Sequence, residues 1–414
     1  MKRCFALLLA GALALALLAS CELMVPGPTE RPPIGGATEP ARSADPSQSQ
    51  KTWKEGVGPD HDRSFSHGGG GLTTNAASTE DTFYYVVYRD KLIRYADKAT
   101  GISGPLCGKP ECTHDNADCN AYLSDTAWGL TNYDGRLYWV GTNGYRYIYS
   151  SALDGTDRRV VRELDREITG SSFSGSQVQF HRGYLYWAHY SNVVVNGVAQ
   201  QVARVFAFSL DPDEEGFVIF EEENYGWMSV QPYLGGLYIS TIDGDADRTD
   251  YDLVLYRWDI RTREMEELYR GVVPFIMEEI WVVDDGILLH GQYPTDSGFH
   301  RGVYKFSFES GEVDELFPMV DSVDGDRCSV ADGLFVANTV NDSGEMKIVV
   351  KDFDGNTVLD TALKADWLTF DWPMDCYGVD ETYMYFYCYS DYAVAVPLDG
   401  SEMKLLWSSD AGAY

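Results

Sequence analysis

The sequence lacks the short motifs that mark the common catalytic sites. It contains no G-x-S-x-G nucleophile elbow, no phosphate-binding P-loop and no H-E-x-x-H metalloprotease helix. The S-x-D-x-G-x-x-W Asp-box of sialidases is also missing, because Ser151–Asp157 has different spacing. His181, His189, His290 and His300 are scattered, and each is predicted at the surface or rim. Motifs therefore indicate no enzyme class.

Basic residues are scarce. The chain has 32 Lys and Arg against 64 Asp and Glu, which gives a formal net charge of −32. Such a field repels nucleic acid phosphates and argues against binding DNA or RNA. It favours cationic partners, divalent metals or a surface kept soluble by acidic residues.

Sustained helical periodicity is also missing, and a repeat of roughly 50 residues is present instead. Each unit has strand-like runs separated by Gly-containing turns, as from Tyr133 to Leu164. The repeat is anchored on a central pair: Tyr84-Tyr85, Leu137-Tyr138, Leu185-Tyr186, Leu237-Tyr238, Ile287-Leu288, Leu334-Phe335 and Met384-Tyr385. Seven units of about four strands predict an all-β fold, a seven-bladed β-propeller, with six or eight blades as alternatives. Ala127–Asn132 and Gln177–His181 are predicted to lie nearest the axis.

The N-terminal stretch predicts an exported protein. Residues 1–20 combine Lys2-Arg3 with an apolar run and a small-residue end, which is typical of a secretion signal that is removed. Leu18-Ala19-Ser20-Cys21 resembles a lipoprotein lipobox, so Cys21 is predicted to carry lipid on the outer face of the cell membrane. An ordinary signal peptide that contains a cysteine is the alternative.

The remaining chain divides into two parts. Residues 21–71 are rich in proline and poor in large apolar residues, which predicts a flexible linker. Residues 72–414 form the predicted propeller domain. Their many aromatic residues suit strands packed face to face. In the last unit, tyrosines from Tyr383 to Tyr389 alternate with Met, Phe and Cys, so they form either an inter-blade packing face or a sugar-stacking platform.

Cysteine and histidine cluster at one place, between the first and second units. Cys107, Cys112, His114 and Cys119 lie within thirteen residues. Four such ligands could enclose a tetrahedral Zn²⁺ with no open position, which would make the site structural. In an oxidising compartment, a Cys107–Cys112 or Cys107–Cys119 disulfide is the competing interpretation, and free thiols are the third. Convergence of the four residues is expected for either zinc or a disulfide.

An acidic loop is a weaker candidate metal site. Asp243, Asp245 and Asp247 alternate along it, and Ca²⁺ prefers such oxygen ligands. The pattern is not an EF-hand, because Arg248 stands where glycine is needed. A solvated hairpin loop is the other interpretation.

Two resemblances add to these predictions. Leu137-Tyr138-Trp139-Val140, followed by Leu153–Arg159, resembles the repeat of the YWTD-type propellers of the LDL receptor family; Val140-Gly141 replace its Thr-Asp. The lipobox, the proline-rich linker and the segment PLCGKPECTHDNADCNAYL together resemble propeller-like lipoproteins of anaerobic gut Firmicutes. These resemblances imply a fold and a location, and they supply no activity.

The favoured function is therefore a lipid-anchored extracytoplasmic binding or scaffolding module for a protein or glycan. The alternative is a carbohydrate-active enzyme, a glycan hydrolase or lyase, with carboxylates at the propeller mouth.

Overall fold

The computed structural model describes residues 76–408, apart from residues 88–89, 125–126, 142–145, 165–176, 196–197, 224–226, 244–249, 296–297, 323–326, 332–333, 341–344, 364–373, 380–381 and 389–391. The predicted signal peptide, Cys21 and the predicted linker lie outside this range. In the part of the chain that the structure describes, no helix is long and apolar enough to cross a bilayer.

The described residues form 28 strands in seven four-stranded antiparallel sheets, so the predicted all-β, seven-bladed propeller is confirmed. Blades 1 and 2 comprise β1 (Ala76–Ser78), β2 (Thr82–Val87), β3 (Leu92–Asp97), β4 (Ser103–Pro105), β5 (Ala127–Tyr133), β6 (Arg136–Gly141), β7 (Arg146–Ala152) and β8 (Arg159–Leu164). Blades 3 and 4 comprise β9 (Gln177–His181), β10 (Tyr184–Val195), β11 (Val198–Ser209), β12 (Phe217–Glu223), β13 (Trp227–Tyr233), β14 (Gly236–Asp243), β15 (Tyr251–Asp259) and β16 (Met265–Val273).

The remaining three blades follow the same order of strands. They comprise β17 (Ile276–Val283), β18 (Gly286–Thr295), β19 (Gly298–Ser307), β20 (Val313–Ser322), β21 (Arg327–Ala331), β22 (Leu334–Val340), β23 (Met346–Asp352), β24 (Thr357–Leu363), β25 (Asp375–Val379), β26 (Tyr383–Cys388), β27 (Tyr392–Pro397) and β28 (Lys404–Ser408). First strands of neighbouring blades contact one another, including β5 with β9 and β9 with β13. The first strands therefore lie nearest the axis, as predicted for β5 and β9.

Tight turns join the first and second strands of several blades. Asp134 and Gly135 have φ values of 50° and 73°, and Arg182 and Gly183 have φ values of 48° and 85°. Two successive residues with positive φ suit a two-residue hairpin whose twist matches its strands. The Gly-containing turns in the sequence are therefore the local signal that places each second strand.

The core is divided among the interfaces between blades, because successive residues of a strand point to opposite faces of the sheet. On β6, Leu137 and Trp139 pack toward blade 1, whereas Tyr138 and Val140 pack toward blade 3. On β10, Leu185 and Trp187 pack toward blade 2 in the same way. Each second strand therefore supplies two interfaces at once, and this explains why these strands are apolar on both faces.

The same alternation corrects the predicted alignment of the first and sixth units by one residue each. In the first unit, Phe83 and Tyr85 pack toward blade 7, and Tyr84 packs toward blade 2. Phe83-Tyr84 is therefore the equivalent of Leu137-Tyr138, and the pair Tyr84-Tyr85 was wrong by one residue. In the sixth unit, Phe335 packs toward blade 5 and Leu334 toward blade 7, so Phe335-Val336 is the equivalent pair. A one-residue shift moves every side chain to the other face.

Among the described strands, blades 1 and 7 exchange no strand where the ring closes. Blade 1 is built from β1–β4 and blade 7 from β25–β28, so each is continuous in sequence. Phe83 stacks on Tyr385 with 3.8 Å between ring centroids and 9° between planes, and the Arg94 guanidinium lies over the Trp407 ring. Side-chain packing therefore joins the first blade to the last. Tyr385 has the predicted packing role, while the side chain of Tyr387 and all of Tyr389 lie outside what the structure describes.

Candidate metal centre

The segment between β4 and β5, residues 106–124, is held at both ends by one residue of blade 1. The Leu106 amide donates to the Ile93 carbonyl (2.9 Å), and the Ile93 amide donates to the Ala121 carbonyl (3.0 Å). The Leu123 amide also donates to the Lys91 carbonyl (2.7 Å). These bonds hold the entry and the exit of the loop side by side, so that Cys107 and Cys119 lie near one another.

Within the loop, polar side chains and two unusual backbone conformations turn the chain back on itself. Glu111 and His114 have φ values of 63° and 59°, in the left-handed region that few non-glycine residues adopt. The Asp115 carboxylate accepts hydrogen bonds from the Thr113 hydroxyl (2.6 Å) and the Asn116 amide group (2.7 Å). The loop is therefore ordered by local polar contacts, since it has little apolar surface of its own.

The four predicted ligands converge, as the sequence led us to expect. The Sγ atoms of Cys107, Cys112 and Cys119 and a ring nitrogen of His114 all lie within 4.8 Å of one another. His114 Nδ1 lies 3.2 Å from Cys119 Sγ. Cys119 is buried within the cluster shared by blades 1 and 2, and the other three are half-buried. The cluster thus sits where the loop meets the core.

Backbone amides point at two of the sulfurs. Burial raises the pKa of the Cys107 thiol, but amides of Lys109 and Asn120 and hydrogen bonds from the other two thiols outweigh burial and hold that pKa below its ordinary value. Burial, together with hydrogen bonds to Cys112 and Cys107, raises the pKa of Cys119 to about 11, although the amides of Ala121 and Tyr122 oppose this. Amide donors of this kind stabilise a thiolate and orient it toward a metal.

The geometry fits a tetrahedral zinc ion. Zn–S bonds of about 2.3 Å place tetrahedral ligands roughly 3.8 Å apart. The four donor atoms here, all within 4.8 Å of one another, are spaced on the same scale. Cys107, Cys112 and Cys119 are all thiols in the structure. Three thiolates and one imidazole would fill all four positions of the metal.

The second candidate site is described only in part. The backbone of Asp243 ends β14, where it pairs with Asp252, and the Asp243 side chain is not described. Asp245 and Asp247 lie outside the described residues. The calcium site stays a prediction.

Three of the four scattered histidines are buried, which corrects the prediction that placed them at the surface or rim. His181, His189 and His290 are each at least 98% buried. His181 Nε2 lies 2.8 Å from the Leu234 carbonyl oxygen of blade 4, and the His189 ring stacks on Phe206. Each of these histidines belongs to a strand whose faces are covered by the neighbouring blades. A search for motifs does not reveal such burial. The side chain of His300 is not described.

One residue beside the metal ligands was missed by sequence reasoning. The Arg158 guanidinium donates to the Tyr122 carbonyl and lies over the rings of Trp139 and Tyr149. The available signal was the pair Arg158-Arg159, two successive cations in a chain that is short of them.

Among known proteins, the chain is similar to several solved structures at low sequence identity. No protein-family model and no curated protein matches the chain. Among solved structures, it is similar to the Pyrococcus horikoshii acylaminoacyl peptidase, with 13% identity, a TM-score of 0.48, and coverage of 83% of this chain and 53% of that one. It is also similar to the β-propeller domain of the Trilobed protease from Pyrococcus furiosus, which has an open velcro topology (12% identity, TM-score 0.46, 84% and 97% covered).

A third similar structure is an oligogalacturonate lyase from Vibrio parahaemolyticus (10% identity, TM-score 0.44, 83% and 90% covered). The chain spans about half the length of the peptidase. These likenesses concern the fold alone.

Proposed function

We propose that the chain is a lipid-anchored, extracytoplasmic β-propeller that acts as a binding or scaffolding module for a protein or glycan. In this proposal, a structural Zn²⁺ held by Cys107, Cys112, His114 and Cys119 orders the loop between blades 1 and 2. The supporting observation is the convergence of four protein donors at one point. Four protein ligands leave no open position for substrate, so the metal would stabilise the loop and take no part in catalysis.

Buried polar side chains join neighbouring blades of the ring. The Gln177 side-chain oxygen accepts a hydrogen bond from the Val230 amide (3.0 Å), which links blade 3 to blade 4. The Asn338 side chain bonds both the amide and the carbonyl of Met374 (2.9 Å each), at the join between blades 6 and 7. These buried polar groups stabilise the ring by joining its blades.

The zinc proposal is tested by metal analysis of protein purified without oxygen, alongside thiol titration of the unfolded chain. One zinc per chain, released together with loosening of the loop by a chelator, is the expected result. Absence of zinc with one disulfide among the three cysteines would replace zinc by the disulfide interpretation. Absence of zinc with Cys107, Cys112 and Cys119 all titratable, as located by mass spectrometry of the labelled peptides, would reject both.

Lipid attachment is tested by cell fractionation. The sequence resemblances around Cys21 support an anchor at that residue. Cys21→Ser should release the protein into the extracellular fraction, because the lipid chains hold it to the bilayer. A variant that stays in membranes after a salt wash would place the anchor elsewhere.

The binding role is tested with the unlipidated Cys21→Ser chain, screened against glycans and surface proteins for retention and for turnover. Retention of a glycan or protein without turnover would support the binding module. Turnover would favour the alternative enzyme.

One observation favours that alternative. Among the side chains that the structure describes, Glu279 is the one buried carboxylate, and it lies opposite buried His290 in the register of β17 and β18. A carboxylate beside an imidazole can perform acid–base chemistry. Glu279→Gln should abolish any turnover found in the screen while leaving the fold intact; unchanged turnover would exclude this pair.

A further inference from the structure

A cleft with cationic walls lies beside the Cys/His cluster. It has a volume of about 420 Å³, and Lys109, Asn120, Tyr149, Arg158 and Arg159 are among the residues that line it. One wall belongs to the inserted loop, and the other belongs to the start of β8. This concentration of positive charge stands out in a chain with twice as many acidic as basic residues.

Arg158 is fixed in place before any ligand arrives. Its guanidinium carbon lies 5.3 Å from the Trp139 ring centroid and 5.4 Å from that of Tyr149, and one of its amino groups donates to the Tyr122 carbonyl. A guanidinium has five N–H donors, so further donors remain beyond that one bond. A side chain held in this way loses little conformational entropy when it binds an anion.

Within the described residues, no carboxylate forms an ion pair with the three cations. Lys109 Nζ donates to the backbone carbonyl of Asp118. Asp118 is exposed and also lines the cleft. Lys109 and Arg159 are exposed, and Arg158 is half-buried. The half-buried Arg158 guanidinium is partly removed from water, which costs free energy for a charged group. An anion in the cleft would offset that cost.

A purely internal role for Arg158 does not account for the whole cleft. Its charge also acts on Cys119, so it would balance some of the negative charge of a three-thiolate cluster. Lys109 and Arg159 are exposed, however, and they line the open space. The cations that line the cleft decide whether an anion binds there. The acidic residues elsewhere on the chain matter less, because charges farther away than a Debye length of roughly 10 Å are screened at ordinary salt.

We infer that this cleft binds a small organic anion through a carboxylate or phosphate group. Its volume falls within the range of roughly 300–1,000 Å³ typical of small-molecule sites. Arginine favours both groups because its planar fork matches two oxygens at once, while Tyr149 and Val160 offer apolar surface to the body of the ligand. The cleft adjoins the proposed metal centre, since Cys119 is among its lining residues.

The test is calorimetric titration of the Cys21→Ser chain with glucuronate, with its neutral counterpart glucose and with inorganic phosphate. Glucuronate should bind and glucose should not, and binding should weaken as salt is raised. If phosphate competes, the anion subsite serves both groups; if it does not, the site selects carboxylates. Arg158→Gln should weaken glucuronate binding by about tenfold or more, and Arg159→Gln and Lys109→Gln by less.

Arg270→Gln is the matched control, since Arg270 is an exposed arginine of blade 4 and pairs with Glu267. Zinc content is measured for every variant, and loss of binding in Arg159→Gln at unchanged zinc content supports the cleft even if Arg158→Gln fails to fold. Failure of both anions to bind at about 20 mM, well above ordinary small-ligand dissociation constants, would overturn the inference. Equal weakening by Arg270→Gln would do so too. Self-association that the cleft variants abolish would overturn it in favour of an acidic segment of a second copy.

Discussion

At the scale of single residues, a recurring aspartate holds the turn between the third and fourth strands. Six blades share it: Asp97, Asp154, Asp211, Asp259, Asp352 and Asp399. Each carboxylate accepts a hydrogen bond from a backbone amide two or three residues later, the geometry that favours Asp at such turns. For Asp97, Asp154, Asp259, Asp352 and Asp399, the pKa of the carboxyl lies below its ordinary value.

Asp259 gives a prediction about pH. Burial raises its pKa, but the amides of Thr262 and Arg261 and the Arg257 guanidinium outweigh burial and leave the pKa below 3.8. Its ionised form therefore stabilises the fold above that pH, and the contribution disappears as the pH falls through the lower folded-state value. Asp259→Asn should lower the melting temperature by about 1 °C at pH 7 and have almost no effect near pH 2.

Calorimetry at the two pH values measures this difference. Asp354→Asn is the control, because the Asp354 carboxylate accepts no hydrogen bond within the described residues. The prediction would be contradicted if Asp259→Asn lowered the melting temperature, relative to the unchanged protein, by the same amount at both pH values.

His114 gives the sharpest residue-scale test of the metal. His114→Ala removes one of four ligands, so zinc affinity should fall by more than about tenfold and the loop should become sensitive to protease. His114→Cys keeps a ligand of suitable chemistry and should retain zinc. Competition with a chromophoric chelator measures both affinities. Equal zinc retention by the alanine variant would show that His114 is not a ligand.

At the scale of elements, the inserted loop depends on a close approach of backbone to backbone. Gly155, in the turn between β7 and β8, has a φ of 80°, and a Cβ built there would lie 2.3 Å from the Leu106 carbonyl oxygen. Only glycine fits both the conformation and the space. The turn of blade 2 and the entry of the loop are thus in direct contact.

Gly155→Ala should therefore destabilise the protein more than Gly135→Ala does. Gly135 also has a positive φ, of 73°, but a Cβ there meets nothing within 4 Å. The conformational penalty, about 1–2 kcal/mol, is common to both variants, and the clash should add about 1–3 kcal/mol for Gly155→Ala. Denaturant unfolding measures the two free energies. Equal values would show that the loop moves away at no cost.

At the scale of the whole molecule, closure of the ring depends on side-chain packing between blades 1 and 7. Tyr385 has a close counterpart in Tyr304 of blade 5, which stacks on Phe275 at 3.9 Å and 14°. Both tyrosines are buried. They differ in context, since chain connectivity joins blades 4 and 5 but not blades 7 and 1.

Tyr385→Ala and Tyr304→Ala should each reduce the free energy of unfolding by about 3–5 kcal/mol, as for other large aromatic truncations. Their local effects should differ. Tyr385→Ala should raise amide hydrogen exchange in both blade 1 and blade 7, because the ring opens there, whereas Tyr304→Ala should raise it around blades 4 and 5. Mass spectrometry of exchanged peptides distinguishes these patterns. Increases in exchange of equal size at the two interfaces would show that the interface between blades 7 and 1 is no weaker than the interface between blades 4 and 5.

Local signals in the sequence were enough to predict the all-β fold, the seven units and the inner strands β5 and β9. Each depends on alternation of apolar residues and on turn residues close in the chain, and these are properties of short segments. The Cys/His cluster was predicted for the same reason, since its four members lie within one loop.

Tertiary structure alone decided which face each residue serves and which distant groups meet. The shift of Phe83-Tyr84, the burial of His181 and the register of Glu279 with His290 all depend on where a neighbouring blade lies. Ile93 holds the loop closed, and Arg158 lies beside Cys119, through contacts between separate strands of the fold. Such contacts depend on the packing of blades around a ring, and no periodicity within a single segment encodes them.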